Sequence, residues 1–543
     1  MPIHRPRAAR MSGLLATAGG VTACLVSAAP VQAIAGPESA AGQYAAVVRL
    51  TIGEEAAVRG CTGTLLDASW VLTAASCFAA TPGSAVPAGK PALKSVATLS
   101  DGKTAEIAEL APRTDRDLVL ARLATPAAGI TGITLAAATP DAGTDLTAAG
   151  FGRTRTEWAP RKVHTGTFTV KASDATTLSV TGKGTDVICK GDTGGPLLNA
   201  AGALVGVNSR SWQGGCLGGD PAETRTDAVS VRTDDLREWI DGVRSSTPGW
   251  QTKALVQSGS SLYQAVRLTD GSWTGFVDVQ AKASGLNGIR SSATAGVNGD
   301  AHVLAISDSG GLFHTIRKQD GTWGRFGDVF SVANALGSLT QVSAVSIGHD
   351  VHVVAVADGK AFHTVRSSAG HWVPFRLISG SLANVTAAGT ASVRGELHVG
   401  LVSGGKPYHS IRQANGNWLG WGDVARAAST TGPITSISMA GSGDETHFVV
   451  ATDNGTRQYH ALRNFNGQWS VFGDLKDVLG TVTARSVSAA SVNGELQVAV
   501  TTADGKLLHT TRHTDRTWDA PVTAPLTGLP AVPGHLSITA NYN

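Results

Sequence analysis

Methionine and tyrosine are rare in this chain, three and five residues among 543, and aromatic residues together make up 5%. Charge is thin as well, at 16% of residues, with 44 basic against 41 acidic. That balance leaves no electrostatic footprint for nucleic acid, and no basic cluster occurs past the extreme N-terminus, so nucleic acid is not an expected partner. No apolar run reaches the ~20 residues that a bilayer span needs. The thirteen histidines after residue 250 lack the short clustered spacing of metal ligands, and neither a metal nor a cofactor is expected. Hydrophobic residues, by contrast, reach 42%, enough to fill the two or three cores that a chain of this length requires.

Arg5, Arg7 and Arg10 precede a weakly polar run from Leu14 to Ala29, and "VQA" at 31–33 puts small residues where a signal peptidase reads. Residues 1–33 are expected to leave as a signal peptide, making the protein secreted and Ile34 its first mature residue. Cys24 would leave with them. In an exported chain the remaining Cys61, Cys77, Cys189 and Cys216 favour disulfides over metal or free thiols. Proximity pairs Cys61 with Cys77 and Cys189 with Cys216, one of the three connectivities that four cysteines allow.

Two grammars follow. Residues 34–245 show short apolar runs split by glycine, proline and aspartate, such as "SWVLTAA", "DLVLARL" and "ALVGVN", which read as an all-β domain. The segment closes on "TDDLREWIDGVR", a helix with Leu236, Trp239, Ile240 and Val243 on one stripe and Thr233 and Asp234 where an N-cap belongs. Residues 246–250 read as a linker. From 251 to 543 a block recurs six times, in which arginine precedes tryptophan by six residues: Arg267 and Trp273, Arg317 and Trp323, Arg366 and Trp372, Arg412 and Trp418, Arg463 and Trp469, Arg512 and Trp518. Each period holds two further strand-like runs, and most copies carry a glycine turn before the tryptophan, so four strands per unit predict a six-bladed β-propeller. The first unit lacks an opening strand and "HLSITANYN" at 535–543 is a strand with no unit after it. Joining the two would close the ring without an open edge.

"CTGTLLDASWVLTAASC", "DRDLVLARL", "AAGFGRT" and "CKGDTGGPLL" occur in an order and at spacings that resemble the trypsin-like, chymotrypsin-fold serine proteases, over about residues 34–245. The resemblance implies two six-stranded barrels with a Ser-His-Asp triad between them. Asp117 stands at the aspartate position, but Ser76 occupies the histidine position and Thr193 the serine position. Threonine keeps a hydroxyl beside a crowding methyl; serine cannot act as a base, because an aliphatic hydroxyl does not titrate near neutrality. His164, the only histidine of the protease-like segment 34–245, is expected on a second-barrel strand. By the same resemblance Gly191 and Thr193 would offer oxyanion-hole N–H groups, the Ile34 amino group would pair with Asp192, and Val187 would form the S1 base, with Asp186 one position off.

The repeat block resembles the sugar-binding propellers of the tectonin and bacterial fucose-lectin kind. Exposed indole faces and arginine donors suit a pyranose. The same tryptophans, with His314, His363, His409, His460 and His509, equally suit packing between blades; Gln264 takes the histidine place in the first copy. The expected function is that of a catalytically inactive protease homologue whose propeller binds a glycan or cell-surface ligand, with peptide or protein in the cleft. The alternative is an active endopeptidase that uses Thr193 and is targeted by the propeller.

Overall fold

In the computed structural model, residues 39–40, 42–54 and 58–543 are described, and the expected signal peptide and Ile34 lie outside them. The chain forms two compact units, one ending at Asp235 and one spanning Leu236–Asn543.

Six strands close the first barrel of the first unit: β1 (Val47–Ile52), β2 (Arg59–Leu65), β3 (Trp70–Thr73), β4 (Ser95–Thr98), β5 (Thr104–Pro112) and β6 (Val119–Leu123). Strands β7 (Asp145–Gly150), β8 (His164–Ser173), β9 (Thr177–Gly182), β10 (Pro196–Leu198), β11 (Leu204–Ser211) and β12 (Asp227–Arg232) close the second. Alternating residues fill each interior, as a period of two requires: Val48, Leu50 and Ile52 from β1 meet Leu65, Val71 and Val119 in the first core. In the second, Leu146, Phe168, Val170, Leu178 and Leu197 do the same, each such side chain contributing about 1.5–3 kcal/mol by burial. Disulfides join Cys61 to Cys77 and Cys189 to Cys216.

The helix α1 (Arg237–Ser245) begins later than the sequence suggests, at an N-cap Leu236 that supplies no side-chain bond. The two residues expected to cap it are engaged elsewhere. Thr233 Oγ1 donates to the Leu204 carbonyl at 2.8 Å, and Asp234 accepts from Arg232 Nε at 3.0 Å. The helix belongs to the second unit, where Asp241 accepts from the Gly275 N–H at 2.8 Å.

The rest of the second unit is a six-bladed propeller of four-stranded antiparallel sheets. Its first blade draws three strands from β13 (Trp250–Ser258), β14 (Ser261–Arg267) and β15 (Val277–Asp278), and its innermost strand from Pro533–Tyr542 at the other end of the unit. That closing strand is fastened on both flanks. Thr294 and Gly296 of the second blade donate to Ser537 Oγ and Thr539 Oγ1, while Leu536 and Ile538 donate to Ser486 Oγ and Ser488 Oγ of the sixth. The six-residue step from arginine to tryptophan is a hairpin: the two residues form a β-bridge in every blade. Gly271, Gly321, Gly370, Gly416 and Gly467 turn it at φ between +83° and +90°. In the sixth blade Arg516 adopts φ +74° in their place. Outermost strands are two residues long, which leaves little edge to pair with another chain.

Candidate functional site

The first unit brings Ser76 and Asp117 together. Ser76 sits on a short 3-10 turn after β3, pinned through its neighbour by the Cys61–Cys77 bridge. Its backbone N–H donates to Asp117 Oδ1 at 2.7 Å and its Oγ donates to Oδ2 at 2.9 Å. Ser209, on β11, donates to the same Oδ2 at 2.6 Å. Three donors thus satisfy the carboxylate, and none of them can accept and return a proton near neutral pH.

Thr193 follows a loop braced from both barrels. Its carbonyl accepts from the Thr62 N–H at 2.9 Å and lies 3.7 Å from Cys77 Sγ, and the next residue, Gly194, donates to Asn208 O at 2.7 Å. Thr62 Oγ1 donates to Gly191 O at 2.8 Å and accepts from the Phe151 N–H at 3.1 Å, tying this loop to the one before β8. Gly191 has φ +102°, a conformation reserved for glycine. Among the described residues the N–H groups of Gly191 and Thr193 donate to no protein acceptor, which leaves two donors for an oxygen outside the protein.

Asp192 is fully buried and accepts from the Gly152 N–H at 2.7 Å and the Cys189 N–H at 2.9 Å. Burial pushes its carboxyl up to about 7 against the pull of those two bonds. Gly152 makes the approach possible, because a Cβ there would fall 2.3 Å from Asp192 Oδ2. Ile34, the expected partner, lies outside the described residues, and no described ion pair reaches Asp192. Val187 is wholly buried and packs on the Cys189–Cys216 bridge. Asp186 is held by the Thr167 N–H at 2.7 Å, and His164 opens β8, its ring 3.9 Å from Glu157.

In the propeller, four of the five third-strand histidines meet a second one from their own blade: His302 Nδ1 with His314 Nε2 at 3.0 Å, His352 with His363 at 3.1 Å, His398 with His409 at 3.2 Å and His447 with His460 at 2.9 Å. The sixth blade replaces the second-strand partner by Gln497, which accepts from His509 at 2.9 Å, and the first has Lys253 and Gln264 at the two places. The third-strand imidazoles stand edge-on to the tryptophan of the next blade, His314 to Trp372, His363 to Trp418, His409 to Trp469, His460 to Trp518 and His509 to Trp273, at 5.5–5.9 Å between centroids. Trp323 packs against the core between the first and second blades. Burial holds these imidazoles neutral, with His302, His352 and His398 down to about 4. Between the fourth and fifth blades His409, Arg463, Gly467 and Trp469 line a cavity of about 230 Å³ that Asp423 also reaches. Sequence spacing pointed to the third-strand histidines and missed their partners, although an acid two residues before each one recurs in "DAHV", "DVHV", "ELHV" and "ETHF".

Two closed six-stranded barrels carrying this loop define a chymotrypsin-fold unit. Residues 33–240 match the family model described as Trypsin, so that segment is a trypsin domain; the propeller falls outside the match. No curated protein matches the chain.

Proposed function

We propose that the protein is a secreted trypsin-like serine protease homologue that binds peptide or protein without cutting it, and whose propeller binds a glycan or another hydroxyl-bearing surface ligand. One observation carries the first half: Ser76 and Ser209 fill the Asp117 carboxylate with hydroxyl donors, and among the described residues no imidazole hydrogen-bonds to it. Acyl transfer needs a group that takes the nucleophile's proton and hands it to the leaving amine, and a serine hydroxyl does neither. The Thr193 methyl group hinders attack further. For the propeller, the support is the recurring indole and guanidinium between blades, lining a cavity of about the right size for one sugar ring between Arg463 and Trp469.

The test is digestion of casein and a peptide-ester library by the natural protein beside a Thr193→Ala control. We expect no hydrolysis that depends on Thr193. A second reading, an active endopeptidase using Thr193, is favoured by one feature: among the described residues the Gly191 and Thr193 N–H groups donate to no protein acceptor, and an oxyanion would require such a donor pair. Hydrolysis abolished by Thr193→Ala selects it.

A further inference from the structure

The propeller presents the same arginine six times, and its surroundings differ from blade to blade. Arg366 and Arg463 donate only to the carbonyl of the residue that follows them, Ser367 at 3.4 Å and Asn464 at 3.3 Å. The Arg412 side chain makes no hydrogen bond among the described residues, and all three side chains are half-buried. Arg512 has Glu445 of the preceding blade at 3.9 Å. A guanidinium taken partly out of water with N–H groups unfilled calls for an oxygen acceptor.

Arg317 has one. Its Nη2 donates to Ser245 Oγ at 3.1 Å, and both side chains are buried. Ser245 ends helix α1, just ahead of the first blade. Its hydroxyl donates onward to Gly242 O at 3.0 Å, and its carbonyl accepts from Gln251 Nε2 at 3.0 Å and from Asn543 Nδ2. The group on Arg317 is therefore a neutral hydroxyl that accepts from the guanidinium and donates to a nearby oxygen. A carboxylate bears on one of the open sites, where Glu396 acts on the charge of Arg463, and in the sixth blade Glu445 lies 3.9 Å from Arg512. An anionic ligand would meet that carboxylate, whereas a hydroxyl can donate to it while accepting from the arginine.

We propose that Ser245 is a built-in occupant of the cleft between the first and second blades, and that the clefts at Arg366, Arg412 and Arg463 take the same chemistry from outside, the neutral hydroxyls of a sugar or polyol. The second half rests on the propeller-binding reading above; the first half does not. Filling the first cleft from within also anchors the segment that leads into the ring.

The test uses the full chain. Neutral methyl glycosides are titrated calorimetrically beside glucuronate and inorganic phosphate, and cleavage after Arg244 by added trypsin is timed. Neutral glycosides are expected to bind, Arg412→Met to lower the stoichiometry by one, and Arg317→Met to leave it unchanged. Arg317→Met and Ser245→Gly, but not Arg412→Met, are expected to speed cleavage after Arg244 by about tenfold, since each frees the anchored segment. Unchanged cleavage in both variants, or a site lost with Arg317→Met, overturns the built-in occupant. Preference for the anionic probes overturns the neutral-hydroxyl assignment. If cleavage responds as expected but no probe binds, the occupant stands and the propeller-binding reading falls.

Discussion

The trypsin domain uses each chemical group once, whereas the propeller uses one constellation repeatedly. In the first unit Ser76 stands once against Asp117 and Thr193 once after the Gly191 loop, inside two closed barrels held by two bridges. In the propeller the histidine pair recurs in four blades, is half replaced by Gln497 in the sixth blade and fully replaced by Lys253 and Gln264 in the first, and the ring still closes. A site built from single parts has no second copy to carry its chemistry. A repeated site can vary copy by copy.

The contrast breaks most severely at the one propeller part that is not repeated. Deleting residues 533–543 removes the innermost strand of the first blade and exposes the edges of its neighbours, so the propeller is expected to lose its cooperative unfolding transition and aggregate. Calorimetry of the truncated chain checks this; a propeller transition at its original temperature contradicts ring closure by that strand.

Restoring the single parts should have the next largest effect. Ser76→His with Thr193→Ser gives Asp117 an imidazole to orient and gives that imidazole an unhindered alcohol, and ester hydrolysis should rise by about 10²-fold or more. Either change alone should give little, because the groups act as a unit. Ester kinetics on the three variants decide it; equal rates in the double variant and the natural protein would place the defect in the cleft itself.

Reduction separates the units differently. All four described cysteines lie in the trypsin domain, and each bridge closes a loop of 16 or 27 residues, worth about 3 kcal/mol apiece by loop entropy. Dithiothreitol should therefore lower the unfolding midpoint of the trypsin domain and leave that of the propeller in place, as followed by hydrogen exchange resolved to peptides of each unit.

Much of this was legible beforehand, for physical reasons. Ser76 and Thr193 stand beside cysteines and glycines whose spacing is rigid, and the hairpin geometry fixes arginine and tryptophan six apart, so these segments keep a pattern along the chain. Contacts between distant segments leave no such trace. Ser209 reaches Asp117 across 92 residues, and Ser245 reaches Arg317 across 72. The helix cap is not legible in the sequence, because Thr233 and Asp234 carry capping side chains that tertiary partners engage instead. The second-strand histidines were visible as residues but not as partners, since pairing across a ladder depends on register.

That pairing yields the smallest effect and the finest test. His398 and His409 touch at 3.2 Å, His398 also meets Thr446 Oγ1 at 2.8 Å, and Arg463 of the next blade faces both rings beside Trp469 and Phe448. Burial, then Arg463, holds His398 down to about 4, against about 6.5 for a histidine in the unfolded chain. The unfolded chain therefore binds protons between pH 6.5 and 4 that the folded ring refuses, and the stability supplied by this pair is full above pH 6.5 and lost as pH falls toward 4. The sixth blade shows that glutamine can stand at the second-strand place and accept from the third-strand imidazole. His398→Gln should then leave stability at pH 7.5 within about 1 kcal/mol, because His409 keeps an acceptor. Between pH 6.5 and 5 it should flatten the loss of stability by up to about 1.4 kcal/mol per pH unit, the contribution of one proton. Urea unfolding at pH 7.5, 6.5 and 5 measures both quantities. An unaltered slope would mean that His398 is not held neutral by its blade, and that the paired imidazoles are packing groups whose titration the ring does not feel.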